Sequence, residues 1–201
     1  TVSAVTNTAL VFVMTQSCDE SNLELVNPNA LSPETFFTNE EQLRSAVNAS
    51  YAQNQTNALY SRLLFYMYDN MGQDNSPNPQ QEANKLTYSR FTFDSSNTEI
   101  ADFWDSCFKG INKANFVISN IERINEIPES IMSERLKNKY IAEARFLRGH
   151  YYYLLATRFG GVPLFSGLPE SSEGIPRATR DEVFAQIIED FRFAAENLFE
   201  R

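Results

Sequence analysis

Chemistry has few places to reside in this chain. His150 is its single histidine, so the chain cannot assemble a multi-histidine metal site, and no cysteine or serine nucleophile motif accompanies it. Carboxylates are plentiful at 26 Asp and Glu, but a glycosidase pair is defined by its separation across a cleft, which spacing along separate helices does not fix. No catalytic residue, metal or cofactor is therefore assigned. Cys18 has a clearer use. Ala9 to Met14 form a short apolar run followed by Thr15-Gln16-Ser17-Cys18, which is how the end of a lipoprotein signal peptide reads, although Thr15 stands where such signals usually carry Leu. On that reading residues 1–18 are the signal remnant and Cys18 is the acylated anchor.

Binding chemistry concentrates around one long polar stretch, Met71 to Asn97, with Pro77, Pro79 and several Asn and Gln. Connections this long are uncommon in compact domains unless they do something. Tyr68, Asn70, Asp74, Asn75, Tyr88 and Arg90 offer aromatic, amide, carboxylate and guanidinium groups for stacking and hydrogen bonding, and they are the candidate binding residues. Tyr151, Tyr152 and Tyr153 make a poorer platform. Three consecutive helical residues point about 100° apart and cannot share one surface, so they are assigned to packing.

The elements that must carry these groups are helical. Leu136, Tyr140, Ala144, Leu147, Tyr151, Leu154 and Leu155 recur at the spacing of one helical face, and the run ends at Phe159. Gly160 is placed to close that helix in a left-handed conformation, and Pro163 prevents it from resuming. Thr38 with Glu41, Ser96 with Glu99, and Thr179 with Glu182 read as capping boxes. Five helices are predicted, over about 39–53, 57–69, 97–125, 129–159 and 180–198. Leu86 to Phe93 alternates well enough for a short strand or extended arm. Cys107 is in phase with Ile100, Phe103, Trp104, Ile111, Ala114 and Ile118, which puts it and Trp104 on a buried face. Glu143 with Arg145 or Arg148 is expected to make polar contacts between helices, and Asn115 to satisfy backbone groups at a helix crossing. Phe193 points roughly opposite Phe191, so the last helix is expected to need a second partner.

Four segments together resemble one family. AEARFLRGHYYYLLATRFGGVPLF (Ala142 to Phe165) looks like the signature of SusD/RagB proteins, the nutrient-binding outer-membrane lipoproteins of Bacteroidetes. The stretches Asn27 to Ala52, Trp104 to Ile121 and Arg177 to Leu198 resemble the same family in the same order. Gly149 and His150 depart from it, standing where the family usually has Ala or an aromatic. The resemblance implies an all-α fold of tetratricopeptide-like helical pairs over 19–201, forming the N-terminal part of a longer protein. It also implies a non-enzymatic role: capture of an oligosaccharide at the cell surface and delivery to a TonB-dependent, SusC-like transporter. Asp19 and Glu20 after Cys18 resemble the acidic stretch that exports lipoproteins to the surface in this phylum. The alternative is a tetratricopeptide-type scaffold that docks a protein or peptide.

Charge and length narrow the classes further. The net charge of -9 and the lack of any basic stripe disfavour nucleic acid. No segment has the roughly 18 consecutive apolar residues of a membrane-spanning helix.

Overall fold

The computed structural model describes residues 36–72, 78, 80, 83–168 and 174–198. Cys18, Asp19, Glu20, Asp74 and Asn75 lie outside the described residues. Seven helices occur among those described: α1 (Glu40–Asn54), α2 (Leu63–Met71), α3 (Ala83–Arg90), α4 (Thr98–Ile118), α5 (Ile121–Glu126), α6 (Glu134–Phe159) and α7 (Arg180–Asn197). They pack in a chain of neighbours, α1 on α4, α4 on α6 and α6 on α7. The expectation of an all-helical fold is met.

The starts of α1, α4, α6 and α7 are set by a short polar side chain, though not always the predicted one. Thr179 and Glu182 form the expected reciprocal box, with Glu182 Oε2 accepting from the Thr179 backbone N–H at 2.7 Å. At α1 the cap is Asn39, whose side chain accepts from Gln42 N, while Thr38 donates to the Gln42 carboxamide. At α4 the cap is Asn97, and Ser96 instead binds Asp94 Oδ1. Both corrections shift the start by one residue and share a cause: an Asn beside a Ser or Thr accepts the same orphan donors at least as well.

Four predicted elements differ in extent or type. Residues 55–62 wind through turns, so the second helix begins only at Leu63. The long third helix breaks at Ser119 and Asn120. There Asn120 Nδ2 donates back to Phe116 O at 2.7 Å, and Ser119 Oγ accepts from Leu168 N at 3.1 Å. The next helix starts at Glu134, capped by Ser133, because the residues after Pro128 form a turn on its carbonyl. The expected strand at Leu86 to Phe93 is a helix, α3, as far as Arg90. Its inward residues are Lys85 and Tyr88, three apart, and one such pair is too short a signal to separate from alternation. Phe91 then leaves the helix with φ 51°.

Two glycines let α6 approach its neighbours. A Cβ on Gly110 would lie 2.4 Å from the Tyr151 ring, whose hydroxyl donates to Ser50 O at 2.6 Å and so ties α6 to α1 across α4. A Cβ on Gly149 would lie 2.9 Å from the Phe191 ring, which explains the mid-helix glycine that departs from the family pattern. Tyr151 and Tyr152 are fully enclosed, whereas Tyr153 is 47% exposed, so packing accounts for two of the three. Cys107 is buried as expected, and burial pushes its thiol pKa well up, leaving it inert.

Polar contacts fasten the α4, α6 and α7 layer. Arg148 makes a two-pronged ion pair with Asp190 at 2.8 and 2.7 Å, and donates to Asn115 Oδ1 and Ser166 O at 3.0 Å. Asn115 in turn donates to Phe165 O and Gly167 O, both at 3.0 Å, so it secures the segment after the signature to α4. Arg145 reaches Glu189 at 3.6 Å, while Glu143 pairs along its own helix with Lys139. Phe193 is not orphaned: the Arg145 guanidinium lies 4.3 Å from its ring centre, and both Phe191 and Phe193 are half-buried.

The end of α6 is closed as the sequence requires. Gly160 has φ 73° and ψ -120°, a region open to glycine rather than the expected left-handed helical one, and its N–H reaches Ala156 O. Gly161 runs so close to the returning chain that a Cβ would lie 2.1 Å from Ala178 O. Arg177 donates to Gly161 O at 2.6 Å and to Phe159 O, which satisfies the last carbonyl of the helix.

Candidate functional site

The predicted binding residues divide sharply by exposure. Tyr68 stands on α2, 51% exposed, with the Arg158 guanidinium 4.6 Å from its ring centre. Arg90 is exposed at the last turn of α3. Asn70 is 3% exposed and spends its amide on the protein, donating to Tyr66 O at 2.7 Å and accepting from Ser89. Tyr88 is fully enclosed, its hydroxyl 3.4 Å from Asn97 Oδ1 and its pKa raised chiefly by burial, so it has no face to offer a sugar. Asn70 therefore ties α2 to α3 through Ser89, and Tyr88 ties α3 to the start of α4 through Asn97. Tyr68 and Arg90 remain as surface candidates.

Hollows flank α4 on several sides, and two of them meet at Asp105. The first, about 300 Å³, is walled by Trp104, Phe108 and Ile111 of α4 and by Pro163 and Phe165 of the segment that Asn115 secures. Trp104 sits edge-on to Phe159 with ring centres 4.9 Å apart, and Phe108 edge-on to Phe165 at 5.7 Å. Trp104 is half-buried, so its predicted core role holds for the part of the indole that packs.

The second hollow is polar, about 400 Å³, and lies between the turn after α1, α2, α3 and α4. Gln53 and Ser106 meet at its base, with Gln53 Nε2 donating to Ser106 Oγ at 2.7 Å. The Thr56 hydroxyl is 3.0 Å from the same Ser106 oxygen, and Lys113 holds the Gln53 carbonyl at 2.8 Å. Asn57, Asp102 and Lys109 stand exposed at its rim. Glu99 lines it as well, and its Oε2 is enclosed without a hydrogen-bond donor. Asp105 touches both hollows and pairs with Lys109 at 2.6 Å. Sequence reasoning missed this cleft. Its one trace was polar residues in buried register, Gln53 in phase with Leu43, Ala46 and Ser50, and Ser106 three residues after Phe103.

His150 is structural, as expected. Its Nε2 lies 3.1 Å from the Tyr60 hydroxyl, and burial lowers its pKa. Among the described residues no three His, Cys, Asp or Glu side chains gather to hold a metal ion, and no helix is long and apolar enough to cross a membrane.

The helical layer, the Gly-Gly-x-Pro stop and the arginine-locked segment define a class, and comparison with known proteins names it. Residues 22–200 match a SusD-like family described as starch-binding and associating with the outer membrane, and the chain belongs to that family. It is 30% identical over 185 residues to SusD-like protein P2 of Formosa agariphila, which covers 88% of this chain and 34% of that protein. A SusD-like protein of Bacteroides ovatus is 25% identical over 203 residues. Among solved structures, a SusD homologue from Bacteroides thetaiotaomicron superposes with a TM-score of 0.73 at 25% identity, covering 82% of this chain and 31% of that one. A laminarin-binding SusD-like protein gives 0.66 at 24% identity, covering 81% and 35%. The chain thus spans about a third of the length of the curated relatives it matches.

Proposed function

We propose that this chain is the helical part of a non-catalytic, surface-exposed lipoprotein that captures an oligosaccharide and delivers it to a TonB-dependent, SusC-like transporter. The observation that carries this reading is the family match across residues 22–200, whose description names starch binding and the outer membrane. Anchoring would run through acylated Cys18, which keeps the protein at the outer membrane without a spanning helix. Tyr68 and Arg90 remain the exposed members of the predicted set, with Asp74 and Asn75 in the same stretch of sequence. Laminarin, named for one solved neighbour, is a sensible first probe. Calorimetric titration of the intact protein with laminarihexaose, maltoheptaose and a xylogluco-oligosaccharide is expected to show saturable binding to at least one. Chromatography of the same mixtures should show no shortened product. Cleavage would make the protein an enzyme, and absence of binding to any glycan would end the reading.

A further inference from the structure

We infer that the polar cleft beside α4 is a subsite for an uncharged oligosaccharide. This rests on the glycan-binding reading above and adds to it a place and a ligand class.

Three observations lead there. The cleft has about 400 Å³ of room, within the range of roughly 300–1,000 Å³ typical of small-molecule sites. Its base is already ordered: Gln53, Ser106 and Thr56 hold one another at 2.7 and 3.0 Å and Thr56 donates its proton to Gln53 O, which leaves mainly acceptor lone pairs and the second Gln53 Nε2–H to meet a ligand from fixed positions. A ligand that bonds to them need not freeze them first. Glu99 Oε2 is enclosed with no hydrogen-bond donor of its own, while the same carboxylate stands against the buried Tyr88 hydroxyl. The terminal torsion of a glutamate is broad, so the carboxylate can turn to meet a donor in the cleft it lines. Sugar hydroxyls supply such donors at close spacing.

Charge selects the ligand class. Glu99, Asp102 and Asp105 line the cleft, matched one for one by Arg62, Lys85 and Lys109. Lys109 is held by Asp105 at 2.6 Å. The walls therefore carry as many cations as carboxylates, and the chain as a whole carries -9, which repels polyanions. A uronate or sulfated glycan would meet a carboxylate for every cation. A neutral one can accept from the cations and donate to the carboxylates. Stacking is a lesser part of this recognition, because the Tyr66 ring already packs on Phe65 at 4.7 Å and lies 5.0 Å from Lys85 Nζ.

The test uses the intact protein and the three neutral oligosaccharides named above, with oligogalacturonate as the anionic probe. Asn57→Ala with Asp102→Ala changes two exposed rim residues, and should weaken the neutral ligand at least about tenfold while leaving the melting temperature unchanged. Glu99→Gln, which replaces an acceptor by a donor, should weaken it in the same direction. Should the double variant fail to fold, Asp102→Asn alone carries the same expectation. Wild-type binding of a neutral glycan with unchanged affinity in these variants overturns the subsite while leaving the proposed function standing. Preference for oligogalacturonate overturns the ligand class. Binding of no probe by the wild type counts against the proposed function and removes the subsite with it.

Discussion

The two hollows beside α4 share Asp105 and little else. One is built from Trp104, Phe108 and Phe165, whose mutual packing is its structure; remove a ring and the wall itself changes. The other is built from amides and hydroxyls that satisfy one another at its base while its rim stays exposed. The difference teaches where each kind of change should register. Apolar walls are maintained by area removed from water, so their mutants lose stability. Polar rims are solvated before and after folding, so their mutants leave stability nearly untouched and are free to affect a ligand.

The sharpest way to break this comparison is at the fastening of the apolar wall. Arg148→Ala strips Asp190 of its buried partner and releases Asn115 and Ser166, and should cost about 3–5 kcal/mol in urea denaturation. Replacing both members by apolar residues, Arg148→Met with Asp190→Leu, should recover much of that loss. A loss below about 1 kcal/mol for the single change would show that the pair does not hold the layer. A smaller effect is expected at Trp104→Ala, about 2 kcal/mol because the indole is only half-buried, with affinity for laminarihexaose kept within about twofold. A large loss of affinity there would move the ligand to the apolar side.

The smallest effect concerns pH. Burial lowers the His150 pKa in the fold, so the unfolded chain takes up a proton that the folded one refuses as pH falls through the ordinary histidine range. The stability contribution is present above about pH 6.5 and is lost below it. His150→Gln should flatten that part of the pH dependence of the melting temperature relative to wild type. Identical slopes would mean that His150 titrates freely.

Much of the architecture was legible because it rests on repeated signals. The face from Leu136 to Leu155, the Gly160 stop and the Thr179–Glu182 box each involve several residues agreeing, and each is found. Shorter signals misled. Asn39 and Asn97 took the caps from Thr38 and Ser96, and α3 offered a single inward pair, Lys85 and Tyr88. The candidate site was legible only in outline. Composition marked Asn70 and Tyr88 as polar and aromatic groups in a loop, whereas the fold turned both inward, Asn70 to meet Ser89 of α3 and Tyr88 to meet Asn97 at the start of α4. The polar cleft was hidden because Gln53 and Ser106 are fifty-three positions apart and meet only when α1 lies against α4.

The clasp at the end of α6 has a consequence for how such chains diversify. Pro163 bridges Arg177, Ala178 N reaches Val162 O, and Arg177 holds two carbonyls of the helix end. The two ends of the intervening segment are thus fixed to each other, whatever lies between them. Lengthening a closed loop adds only about 0.6 kcal/mol for each doubling. Relatives can therefore insert or delete residues between Leu168, where the stretch fastened to α4 ends, and Arg177 while α6 and α7 keep their register, which makes this part of the crossing a place where length is free to drift and helix packing is not.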